Sequence, residues 1–148
     1  MYSKSDKRPC TIVFLAILYL LALPGAANAQ ALAGATGASS QWGSGWLDLG
    51  PPVDFTKGDR LKLLIGGTAT KVVVRLLPKG ASPDMSVGIV LGVIDVPRSR
   101  IVEITIPEER KQVVQISVHG GPNPWGRFPL GGGNGPATIE SAERLKPK

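Results

Sequence analysis

Cysteine and histidine each occur once in the 148 residues, tyrosine twice, and aromatic residues make up only 5% of the chain. Each scarcity excludes a chemistry. Cys10 stands near the start of the chain. If the leader described below is removed, the remainder has no disulfide, no thiolate nucleophile and no Cys-ligated metal. His119 alone cannot build a metal centre, which needs several nitrogen or sulfur ligands. No GxSxG nucleophile elbow accompanies it. No apolar run reaches the ~20 residues that span a bilayer; residues 11–23, "TIVFLAILYLLAL", stop at 13. The glycine-rich "LGGGNGPAT" lacks the Gly-Lys-Ser/Thr ending of a phosphate loop. Its Gly131 and Gly133 start a GxGxxG that fails at Pro136. No DxDxDG calcium loop is present.

What is present begins with a secretory signal, expected over residues 1–29. Lys4, Lys7 and Arg8 precede the apolar run, Pro24-Gly25 breaks it, and Ala27-Asn28-Ala29 offers small residues for cleavage before Gln30. The expected localisation is therefore the periplasm or the medium. Loss of Lys4, Lys7, Arg8 and Asp6 takes the formal charge from +6 to +4. That excess aids solubility and attraction to an anionic polymer. It is small for a nucleic-acid binder. After cleavage no membrane span is expected.

Residues 30–44, "QALAGATGASSQWGS", are rich in Ala, Gly and Ser and read as a flexible leader. Beyond them, short β-branched runs alternate with Gly/Pro turn signals. Leu61, Leu63 and Ile65 alternate with Arg60 and Lys62. Val72, Val74 and Leu76 alternate with Lys71 and Arg75. These two runs, joined across Gly66-Gly67, predict a hairpin. Val102, Ile104 and Ile106 form another inward row, as do Val114, Ile116 and Val118. The expected fold is all-β: an antiparallel, jelly-roll-like β-sandwich of about eight short strands over residues 45–144, with a tail at 145–148.

"LDLGPPVDFTKGDRLKLLIGG", with "ISVHGG" and "GNGPATIESAER" near the end, resembles the opening and closing strands of galactose-binding-like jelly rolls, a group that includes many carbohydrate-binding modules. The resemblance implies a sandwich over residues 45–144 whose first and last strands lie near each other. It also implies a glycan or a structural calcium as the kind of ligand such domains hold.

Three residues around the last long loop are candidate ligand contacts: His119, Trp125 and Arg127. An aromatic ring stacks on a sugar face while His and Arg bond hydroxyls; the same Trp125 can instead plug the end of the core. Trp46 reads as core, and Trp42, in the leader, as exposed. Asp54, Asp59 and Glu140 are three oxygen ligands near strand ends, where calcium takes six or more. The expectation is no cofactor, with a structural calcium there as the alternative. Lys57, Arg60, Lys62, Lys71, Arg75 and Lys79 cluster on the expected hairpin. They read as a solvated β-surface that resists edge-to-edge aggregation, or as a dock for an anionic polymer. Glu103 with Glu140, or Ser117 or Ser141 with His119, would be needed for a small hydrolase; no motif arranges either set. The expected protein is a non-enzymatic envelope or secreted binding module with a glycan ligand. The alternative is an interaction partner of envelope proteins, using a strand edge or the basic hairpin.

Overall fold

A computed structural model describes residues 28–40, 43–81, 89–121 and 134–148. They form nine strands: β1 (Ala29–Ala31), β2 (Gly34–Ser39), β3 (Ser44–Phe55), β4 (Arg60–Gly67), β5 (Lys71–Pro78), β6 (Ile89–Asp95), β7 (Ile101–Thr105), β8 (Arg110–His119) and β9 (Ala137–Leu145). All pairings are antiparallel. One sheet has the order β1-β9-β4-β7, the other β2-β3-β8-β5-β6. The protein is an all-β sandwich, as the alternation and turn spacing predict.

The core lies between the sheets. Leu61, Leu63 and Ile65 of β4, Val102 and Ile104 of β7, and Ile139 and Ala142 of β9 face Leu47 and Phe55 of β3, Val72, Val74 and Leu76 of β5, and Val113, Ile116 and Val118 of β8; all are buried. Each large aliphatic side chain so buried contributes about 1.5–3 kcal/mol. Asp59, at the start of the β4 run, is also buried and paired with Arg144 of β9, whose guanidinium carbon stands 5.6 Å from the Phe55 ring centre.

Four expectations change. Residues 30–44 are not a flexible leader throughout: β1 pairs with β9, β2 pairs with β3, and Leu32 between them is buried in the core. Ala and Gly weaken a strand's intrinsic preference, yet small residues do not prevent an edge from pairing once a neighbour supplies the ladder. The β4–β5 hairpin does not form. β4 bonds to β7 and β9, whereas β5 bonds to β6 and β8 in the opposite sheet. Residues 66–70 are a corner that carries the chain across the sandwich. Arg100 ties that corner down, donating to the carbonyls of Ile65, Gly66 and Ala69 at 3.0, 3.2 and 2.7 Å.

The inward row of β8 is Val113, Ile116, Val118 rather than Val114, Ile116, Val118, because a register shift against β5 makes Val114 an extra residue there. Finally, residues 86–91 and 92–96 each read as a short apolar strand in the sequence, whereas among the described residues Ile89–Asp95 is one strand, β6, with a register shift opposite Val74 and Arg75.

Candidate functional site

The outer face of the five-stranded sheet sets Trp46 among hydroxyl, carboxamide, carboxylate and imidazole side chains. Alternation along β3 sends Leu47 inward and Ser44, Trp46 and Asp48 outward. The pairings then set three parallel rows. Ala35, Asp48, Gln115 and Leu77 make the first, Gly37, Trp46, Ser117 and Arg75 the second, and Ser39, Ser44, His119 and Val73 the third. Directly opposite residues share a face, so each row is a set of touching neighbours.

Trp46 is the centre of this face. Its indole lies flat across Gly37 on β2, so close that a Cβ on Gly37 would overlap the ring. Only glycine leaves room for an aromatic ring on the backbone itself. The ring is half-buried. Around it, Gln115 Nε2 donates to Asp48 Oδ1 at 2.7 Å. His119 Nδ1 stands 3.4 Å from Ser44 Oγ, a long contact whose donor depends on the tautomer. Burial deepens towards β5: Asp48 is exposed, Trp46, Ser44 and Ser117 are half-buried, and Val73, Arg75 and His119 are buried. The face therefore grades from an exposed carboxamide–carboxylate pair, across an aromatic shelf, to a buried cation and imidazole.

Of the expected ligand residues, His119 lies on this face at the end of β8. Trp125 and Arg127 lie outside the described residues, as do Trp42 and residues 1–27 of the expected signal. Trp46 is not a core residue, since the phase of β3 turns it outward. Arg75 does point outward but is buried rather than solvated.

The basic cluster separates with the two sheets. Arg60 pairs with Glu103 and Lys62 with Glu143 on the four-stranded sheet, and Lys71 with Asp95 on the other. No single cationic face results from that hairpin.

The three carboxylates weighed for calcium are each engaged elsewhere. Asp54 Oδ1 accepts the Gln112 backbone N–H at 2.7 Å, and that bond holds its pKa below the usual value. Asp59 Oδ2 accepts from Thr56 N–H and Arg144 Nε, both at 2.8 Å. Glu140 accepts from Thr138 Oγ1. Among the described residues no three His, Asp or Glu converge for a metal ion. Glu103, bound to Arg60, and Glu140, at the β9 bulge, share no cleft, and Ser141 stands on the sheet opposite His119.

Gly37 and Trp46 are the pair that sequence reasoning passes over. A signal exists, a glycine inside "GATGAS" at strand spacing from a tryptophan, but it acquires meaning only once residues 34–39 are a strand. Comparison with family models, with curated proteins and with solved structures found no match.

Proposed function

We propose that the protein is an exported, non-catalytic binding module whose ligand is a glycan, held on the outer face of the five-stranded sheet. The observation that carries this reading is the Trp46 ring laid on Gly37 and bordered by hydroxyl, carboxamide, carboxylate and imidazole groups. A sugar ring offers an apolar face to an aromatic and a rim of hydroxyls to such groups. His119 belongs to this site, and Trp125 and Arg127, which follow it in the chain, are its proposed loop partners. The signal-like leader supports a location in the periplasm or the medium.

The test is tryptophan emission of the processed protein, titrated with a panel of soluble polysaccharides. A saturable shift that disappears in Trp46→Ala and in Gly37→Val, but survives in Trp42→Ala, is expected. The Gly37→Val side chain must push the indole off its shelf, so it removes the platform while keeping the ring. No shift with any polysaccharide, or a shift indifferent to both changes, would overturn the reading.

A further inference from the structure

Sheet edges are hazards, and proteins usually blunt them with charge, proline, bulges or cover. Here β6 is interrupted by a register shift opposite Val74 and Arg75, β7 carries Glu103, and β1 is only 3 residues long. β2 has none of these defences. Its 6 residues, "GATGAS", contain no charge and no proline, pair with β3 in an unbroken register, and are exposed or half-exposed. Among the described residues β3 is its only strand neighbour.

The direction of the free hydrogen-bonding groups follows from one bond. Gly50 N–H donates to Ala33 C=O at 3.1 Å, so Ala33 faces β3. Antiparallel alternation then turns Ala35, Gly37 and Ser39 towards β3 and leaves the N–H and C=O of Gly34, Thr36 and Ala38 pointing away from it. The side chains of Thr36 and Ala38 face inward, opposite Leu47 and Gly45. Beside them the sandwich is open between β2 and β9, with adjoining hollows of about 270 and 330 Å³ that share Thr36, Ile139 and Glu140.

We infer that β2 is a dimerisation edge and that its occupant is β2 of a second copy, antiparallel about a two-fold axis at Thr36. The pattern is self-complementary. Thr36 meets its own copy, and Gly34 meets Ala38, so every outward donor finds an acceptor. A charge on an edge paired with itself faces its like; β2, in a chain of net positive charge, carries none. The absence of side-chain charge also distinguishes a second copy from an acidic or basic peptide, for which the edge offers no complement. The inward-facing Thr36 side chains of the two copies close the openings between the sheets.

The two five-stranded sheets then become continuous. Their Trp46 residues come to lie on one face, three strand spacings or roughly 14 Å apart, each ring leaning over Gly37 towards the axis. This consequence rests on the glycan reading; the dimer itself does not. Each copy contributes half of an extended aromatic platform, and a polymer that engages both halves gains through effective concentration.

Sedimentation equilibrium of the processed protein, without glycan, tests the dimer. A monomer–dimer equilibrium is expected. Thr36→Pro removes an outward N–H without taking a bond from β3 and should weaken association by about tenfold or more. In case that variant misfolds, hydrogen exchange on the unaltered protein gives a second readout. The amides of Gly34, Thr36 and Ala38 should exchange fast on dilution and slowly when concentrated, with Ala35, Gly37 and Ser39 unaffected. A monomer at all concentrations, or protection of those amides independent of concentration, would overturn the proposal; the first would leave the edge to another partner. If the dimer forms and no polysaccharide binds, only the glycan reading fails. If Thr36→Pro still binds polysaccharide while the unaltered protein is monomeric, only the dimer fails.

Discussion

Asp59 is a charge taken wholly out of solvent, and its surroundings show why the fold keeps it. The Thr56 N–H closes the β3–β4 turn onto its Oδ2, Arg144 reaches the same oxygen from β9 at 2.6 Å through Nη2, and Lys146 Nζ stands 3.9 Å from Oδ1. One carboxylate thus fastens the turn after β3 to the last strand. Burial alone would raise its pKa; the Thr56 N–H and the Arg144 guanidinium outweigh that and hold it below the ordinary 3.8. Removing one partner leaves the other charge buried and uncompensated, so Asp59→Ala should cost about 3–5 kcal/mol in a denaturant titration. A double change with Arg144→Met should cost less than the sum of the two single changes. The sign of the pH effect follows from the lowered pKa. The stabilisation is complete above the unfolded value and is lost as pH falls through the folded one. Asp54, lowered by the Gln112 N–H, acts in the same direction. The melting temperature should therefore hold near neutrality and fall below about pH 4, and an Asp59→Asn protein should start lower and show a shallower acid decline.

Between elements, the corner at residues 66–70 decides the topology. Gly67 adopts φ +82° there, with the Pro136 carbonyl against the place a Cβ would occupy, and Thr68 and Ala69 donate to that carbonyl at 3.0 and 3.1 Å. Arg100, itself at φ 61°, supplies three donors to the carbonyls of Ile65 and Gly66 at the end of β4 and of Ala69 in the corner. Hydrogen bonds from a charged donor are worth about 1.5–3 kcal/mol net. Arg100→Ala should destabilise the fold by roughly that amount or somewhat more. Arg100→Lys should recover little, because a point ammonium cannot replace the fork. Chemical denaturation with an unchanged m-value would show that the loss is in the native state. This corner also shows why the strands were legible and their connection was not. Alternation over Arg60–Gly67 and Lys71–Pro78 marks two strands with one apolar face each, and a hairpin and a sandwich corner both satisfy it. The deciding contact comes from Arg100, some thirty positions away and without local signature. The inward rows were likewise legible up to the bulges: Val113 and Ile116, and Ile139 and Ala142, are spaced by three residues, where a strict period of two fails.

At the scale of the whole molecule, the candidate site was only partly readable, because its shelf is built from two segments that composition separates. Trp46 has an evident strand pattern, whereas Gly37 lies in an Ala/Gly/Ser stretch whose propensity argues for disorder. What orders that stretch is tertiary. Leu32 is buried in the core and its N–H bonds Ala142 C=O at 2.9 Å; Gln30 and Ala31 pair with Arg144 and Glu143; residues 34–39 follow β3 throughout. The expected cleavage before Gln30 falls inside β1. It would remove Asn28, whose carbonyl accepts from Lys146 N–H, yet keep Gln30, Ala31 and all of β2. The folded body thus starts at the expected cleavage site with no spacer, and residues 30–39 belong to the domain. A processed protein shortened to begin at Ser40 should lose the Leu32 contribution, about 2–5 kcal/mol for a buried leucine. Its melting temperature should drop by roughly 10 °C or more. Trp46, with no glycine shelf beneath it, should emit further to the red. A truncated protein with unchanged melting and emission would instead return these residues to the role of a flexible leader, and would remove the β2 shelf from the proposed site and the β2 edge from the proposed dimer together.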